Sequence, residues 1–298
     1  MSNLTTMPAK LAAYAGDTYF LECSDQLGSC RDEFARTHGL LFLKPDAIVA
    51  RAVEPTLDWL HDNDFRVVDA RRIVTGRHLV RALWYFQWNI ASPQRRRLAD
   101  ILLAVSDSLL LIVADDAREL PTTVRLTERK GPTAPAQRAP GELRHLLGGS
   151  TYLLNLVHST DEPADVIREL GIYLGTDERA EAISRAREGS DRSTAAAAIA
   201  AELYATTPAR SFDTEAAKLA ILARAGAELS GLDVDSPAAA WAEAIETLWR
   251  KETSADPWDI LVVGATVLPM RTPDGSQTLG GVDPTSWYNR RNNEEDDR

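Results

Sequence analysis

Four short apolar runs punctuate the first half of the chain, and stretches of helical period lie between them. Leu40-Leu41-Phe42-Leu43 is continuous enough for a buried strand, and Pro45 ends it, so Lys44 stands at a strand terminus facing a cleft or solvent. Val53, Leu57 and Leu60 recur at helical spacing, and Asn63-Asp64 closes that helix. Residues 65–74 alternate as a second strand. An aromatic-rich helix over residues 78–88 follows Gly76, and Pro93 opens a third helix with Leu98, Ile101, Leu102 and Val105 on its inner face. Residues 108–114 form a third strand, and residues 152–157 a fourth that ends at His158. Thr160, Asp161 or Glu162 can cap the next helix, whose first turn holds Pro163 and whose apolar face is Val166, Ile167 and Leu170. This order predicts an α+β, ferredoxin-like fold: a four-stranded antiparallel sheet with helices packed on one face.

Residues 120–150 read as a long irregular segment, broken by Gly131-Pro132 and Pro140-Gly141, and a loop of that length in a compact domain is functional or disordered. Its Arg125, Arg129, Lys130, Arg138 and Arg144 favour an anion-accepting loop. After Gly175 the chain turns mainly helical, with helices over residues 194–204, 214–229 and 238–251, then a strand over 258–270. A loop from Gly280 ends in the acidic run Glu294-Glu295-Asp296-Asp297, expected to be disordered.

Charge sharpens these divisions. Residues 37–175 hold 17 Lys/Arg against 17 Asp/Glu, whereas residues 176–298 hold 13 against 22, a net of −9. Three units are expected: an N-terminal extension (1–36), a first domain (37–175) and an acidic, mostly helical C-terminal domain (176–298) that could recruit a protein partner. The overall charge of −11 argues against a nucleic-acid binder, which needs a basic stripe. Cys23 and Cys30 lack the histidines of a zinc site; a disulfide between them is possible, and a reduced pair is the plainer reading. With no signal-peptide core and no apolar run of membrane length, the expectation is a soluble cytoplasmic protein that engages no membrane.

A histidine at a strand end beside a helix start is placed to meet a phosphate. Four stretches, in order, extend that reading: Lys44-Pro45-Asp46 after the first strand; Thr133-Ala134-Pro135 with Pro140-Gly141-Glu142-Leu143-Arg144; Asn155-Leu156-Val157-His158; and Glu169, eleven positions beyond the histidine. In these the first domain resembles the nucleoside diphosphate kinase family. The resemblance implies transfer of the terminal phosphate of ATP through phospho-His158 to a nucleoside diphosphate, by ping-pong kinetics. It implies that Glu169 orients the ring and that Lys44 and Arg144 neutralise phosphate charge. Thr133 would add a hydroxyl, Asn155 would hold the sugar, and Tyr85 would sit on the phosphate side. Nucleoside di- and triphosphates would be the ligands, Mg2+ would arrive with them rather than in a protein cage, and the chain would form homo-oligomers.

Two departures stand out. Ser159 replaces the glycine that follows the family's histidine, and Thr127 occupies the position of a second loop arginine, so Arg125 or Arg129 would have to substitute. These keep two other readings open: a catalytically weak nucleotide-binding regulatory or scaffolding protein, and a diverged transferase with a non-standard acceptor.

Overall fold

The computed structural model describes residues 3–117, 119–148, 151–250 and 253–296. Three helices precede the sheet: α1 (Pro8–Tyr14), α2 (Thr18–Leu27) and α3 (Arg31–Thr37). Then come β1 (His38–Leu43), α4 (Pro45–Val49), α5 (Val53–Asp62), β2 (Arg66–Ile73), α6 (Arg77–Leu83), α7 (Pro93–Leu103) and β3 (Ser108–Ala114). Next are α8 (Thr122–Lys130), α9 (Leu143–Leu147), β4 (Val157–Ser159) and α10 (Pro163–Tyr173). Helices α11 (Thr176–Glu188), α12 (Ser193–Thr206), α13 (Thr214–Ala225), α14 (Ala238–Arg250), α15 (Pro257–Val267) and α16 (Thr285–Asp296) complete the described chain.

The strands form one antiparallel sheet in the order β2-β3-β1-β4, the ferredoxin-like arrangement. Both faces are covered, not one. Leu40 and Phe42 of β1, with Leu110 and Ile112 of β3, pack under α2, α3 and α10, while Leu41, Leu43, Leu109 and Leu111 pack under α5 and α12. Side chains alternate along a strand, so an unbroken apolar run needs cover on both sides. The apolar runs of β1 and β3 already carried that requirement.

Four further expectations are corrected. The fourth strand is only three residues long, because Leu156 adopts φ +67° and breaks the extended chain just before Val157. The segment 120–150 is not irregular throughout: Pro121 precedes α8, which buries Val124 and Leu126 and stops at Gly131 with φ +84°. Residues 258–270 contain helix α15, not a strand. Asp256 accepts the backbone N–H of Trp258, Pro257 fits the first turn, and Ile260 to Ala265 are all buried. Apolar periodicity does not separate a wholly buried helix from a strand, whereas these start signals do. The acidic tail is helical through Asp296; Asp297 lies outside the described residues.

The charge step at residue 175 does not coincide with a break in packing. Helices α11 and α12 lie against β2 and β3, Ala196, Ala200 and Leu203 of α12 enter the core under the sheet, and Arg192 donates its N–H to Val67 O at 2.8 Å. A separate core comprises α13, α14 and α15 with Leu98 and Leu102 of α7, and it reaches Val49, Leu153 and Leu154 beside the site.

Candidate active site

His158 pairs across the sheet with Phe42, which places it on the face covered by α10. Tyr173 of α10 packs on Phe42 with ring centroids 5.0 Å apart, and Glu169 lies one turn earlier on the same helix. The short turn from β4 into α10 therefore folds the carboxylate back onto the histidine. His158 Nε2 lies 3.0 and 2.9 Å from the two oxygens of Glu169. Protonated, it donates to them, which leaves the lone pair on Nδ1. Burial raises the pKa of Glu169, with His158 as the main opposing influence. Trp84 meets the imidazole edge-on at 5.2 Å.

The helix cap behind this pair is strong. Glu162 accepts the N3 backbone N–H of α10, and Asp165 returns the bond to Glu162 N at 3.0 Å. On the N-terminal side, Leu156 is pinned in its left-handed conformation from both ends: its N–H donates to Asp46 Oδ2 at 2.9 Å, and its carbonyl accepts Lys44 N at 2.9 Å. A bulky residue persists there only when its surroundings over-determine it. Lys44-Pro45-Asp46 thus shapes the approach to His158 through backbone bonds as well as charge.

Three cations come within reach of the histidine strand. Lys44 donates to Leu153 O at 2.8 Å and pairs with Asp46 at 3.2 Å; burial lowers its pKa, against the pull of Asp46. Arg144 donates to Gly131 O (3.0 Å), Thr133 Oγ1 (3.2 Å) and Val157 O (2.8 Å), and its buried Nε has no hydrogen-bond partner. It makes no ion pair among the described residues, and burial brings its pKa down to about 10. Gly131 permits this arrangement, since a Cβ there would lie 2.3 Å from Glu142 Oε2. Lys130, at the end of α8, is 4 % exposed and donates to Ser159 Oγ; its closest carboxylate contact is Asp161, at 3.8 Å. Burial and the neighbouring Arg144 bring Lys130 down to about 8.

The two sequence departures are joined in space. Ser159 Oγ lies 2.9 Å from Thr127 Oγ1, which donates to Thr160 O at 2.8 Å, so Lys130, Ser159 and Thr127 form one hydrogen-bonded chain. Lys130, one turn beyond Thr127, supplies a cation on the helix where an arginine was expected. The arginines expected to substitute are engaged elsewhere: Arg125 pairs with Asp115 and stacks over Phe65, and Arg129 donates to Asn63 Oδ1 at 2.8 Å. Tyr85 is 67 % exposed and lies edge-on to Phe86; the aromatic against His158 is its neighbour Trp84. Asn155 donates to Tyr152 O at 3.0 Å. Lys130 stood among the loop cations in the sequence, but nothing there marked it as buried; the i, i+3 spacing from Thr127 was the available hint.

A cavity of 590 Å³ lies at the opposite end of β1, lined by residues including His38, Arg66 and Asp116. There Arg66 pairs with Asp116, and His38 bonds the Phe34 and Ala186 carbonyls, so its ring is taken up structurally. Among the described residues no cluster of three or more His, Cys, Asp or Glu could hold a metal ion. No described helix is long and apolar enough to cross a membrane.

Comparison with known proteins bears on the same region. A family model described as nucleoside diphosphate kinase matches residues 37–179. A nucleoside diphosphate kinase of Heliobacterium modesticaldum is 25 % identical over 145 residues, which is 47 % of this chain and 89 % of that protein. Among solved structures, the Aquifex aeolicus nucleoside diphosphate kinase aligns with 48 % of this chain and 97 % of its own, at 19 % identity and a TM-score of 0.41. The Encephalitozoon cuniculi enzyme aligns with 47 % and 90 %, at 14 % identity and a TM-score of 0.40. Residues 37–179 form a diverged domain of the nucleoside diphosphate kinase family, a family of nucleotide phosphotransferases.

Proposed function

We propose that this domain transfers the terminal phosphate of a nucleoside triphosphate through phospho-His158 to a nucleoside diphosphate. The observation that carries the reading is the His158–Glu169 pair. One ring nitrogen is fastened to a buried carboxylate, and the other has no hydrogen-bond partner among the described residues. The Nδ1 lone pair attacks the terminal phosphorus, the bond to the bridging oxygen breaks, and the nucleoside diphosphate leaves with that electron pair. In the second half-reaction a terminal oxygen of the acceptor diphosphate attacks phosphorus, and the P–N electrons return to Nδ1. Glu169 keeps the proton on Nε2 and stabilises the positive charge the ring acquires on phosphorylation.

Lys44, Lys130 and Arg144 stabilise negative charge on the transferring group, which is the main task in phosphoryl transfer. Thr133, bonded to Arg144, adds a hydroxyl, and Asn155 is the candidate for the sugar. Mg2+ belongs to the substrate: the protein offers cations around His158, and the ion comes coordinated to the nucleotide phosphates. A second reading, a transferase with another acceptor, draws on the Lys130–Ser159–Thr127 chain, which alters the phosphate side while leaving the histidine pair complete.

Incubation with γ-labelled ATP tests both. Acid-labile, alkali-stable label is expected on the wild-type chain and absent from His158→Ala. Equal labelling of that variant, or none on the wild type, overturns the kinase reading. Label that no nucleoside diphosphate discharges favours the second reading.

A further inference from the structure

The segment that follows α15 is bonded along residues 86–92. Ser92 donates its N–H and hydroxyl to Met270 O and Pro269 O, Thr272 N donates to Ile90 O at 2.9 Å, and Thr278 N donates to Phe86 O at 3.1 Å. Arg271 is bridged to Ala91 in antiparallel register, and Gly275 lies so near Ile90 that a Cβ would come within 2.7 Å of its side chain. This pinning sets an exposed arginine from beyond the kinase-like domain beside Tyr152, the residue next to Leu153, which holds Lys44.

Two guanidinium groups lie against Tyr152. Arg95 of α7 sits 5.0 Å from its ring centroid and Arg271 sits 5.3 Å from it, with Arg271 Nη2 donating to the phenol oxygen at 3.2 Å. Arg95 also lies 5.2 Å from the Trp88 ring. Neither arginine makes an ion pair among the described residues, and the buried Nε and Nη1 of Arg95 have no hydrogen-bond partner. Two like charges facing one ring repel each other, and aromatic faces compensate only weakly. In a chain of net charge −11, carboxylates were available to neutralise them. Arg95 is one of the charges that oppose protonation of Lys44, and Leu153, next to Tyr152, accepts the Lys44 ammonium, so the pair of arginines adjoins Lys44.

We propose that Arg95, Tyr152 and Arg271 form a second phosphoanion subsite, which receives the phosphates of the nucleotide that are not transferred. The assignment of those phosphates rests on the kinase reading of the His158 site; the subsite itself rests on guanidinium groups that make no ion pair among the described residues. It gives the C-terminal half of the chain a direct part in ligand binding. The test is calorimetric titration of the full chain with ADP and with inorganic tripolyphosphate. Arg271→Met is expected to weaken both by about tenfold, the loss of one charged hydrogen-bond donor, with partial recovery in Arg271→Lys. Arg95→Met is expected to weaken both as well. Arg97→Met, which removes the same charge from a residue bonded to Trp249 on the outer side, is expected to bind like wild type. Wild-type affinity in Arg271→Met, or equal losses in Arg271→Met and Arg97→Met, overturns the subsite. Weakened tripolyphosphate binding by a chain that takes no label from γ-labelled ATP supports the subsite and removes the kinase reading.

Discussion

Lys130 carries its charge in a setting that opposes it. Burial and Arg144 bring its pKa down to about 8, so its ammonium is present at neutral pH but costs the fold stability. Between about pH 8 and its unfolded pKa near 10.4 the unfolded chain binds more protons, so stability rises with pH through that window; below it the full penalty applies. Lys130→Met is therefore expected to stabilise the protein at pH 7 by about 1–3 kcal/mol in urea unfolding. The same change is expected to slow phosphohistidine formation by about 100-fold, as for loss of one charge-stabilising group. In wild type the labelling rate is expected to fall as pH rises past about 8, and Lys130→Met is expected to lack that limb. A variant both less stable and equally active would contradict the assignment.

At the scale of elements, the site depends on where helices and strands are made to stop. Gly131 ends α8 in a left-handed conformation that lets its carbonyl accept Arg144 while Glu142 passes close by. Gly131→Ala adds backbone strain and a clash together. It is expected to cost about 1–3 kcal/mol in thermal or urea unfolding and to lower labelling by freeing Arg144. Wild-type stability in this variant would show that the turn is not under that constraint. The Leu156 kink serves a similar end, turning the chain so that β4 begins at Val157 and His158 faces α10.

The whole molecule is closed around the first turn of α10. Glu162, fully buried, accepts bonds from Thr5 Oγ1 (2.5 Å), Thr6 N (2.8 Å) and Trp287 Nε1 (3.1 Å), and pairs with Lys10 at 3.0 Å. Lys10 also reaches Asp165 at 2.7 Å. The N-terminal helices and α16 therefore converge on the cap of the helix that carries Glu169. Burial would raise the pKa of Glu162, but Lys10 and the Thr5 and Thr6 bonds lower it, so its contribution is present above the unfolded pKa and lost as pH falls through the folded one. Lys10→Met strands two buried carboxylates. It is expected to cost about 3–5 kcal/mol at pH 7, with the deficit shrinking in acid as Glu162 protonates. Melting temperatures across pH check this; a pH-independent deficit would mean that packing, not charge, is lost.

Local grammar determined much of this protein. The runs around Leu40–Leu43 and Leu109–Val113 and the Pro163 helix start are short-range features, so the sheet and α10 were legible in the sequence, while the histidine–carboxylate pair was implied by the family resemblance. Tertiary packing alone decided the rest. The engagement of Arg125 and Arg129 depends on Asp115 and Asn63, which the fold brings against them. The burial of Lys130 comes from α8 lying against β4, and the meeting of Arg95 with Arg271 comes from a segment crossing from the far half of the chain. Charge and hydrogen-bond type are written residue by residue. Desolvation, and with it the strength of each charge, is set only when distant segments close over the site.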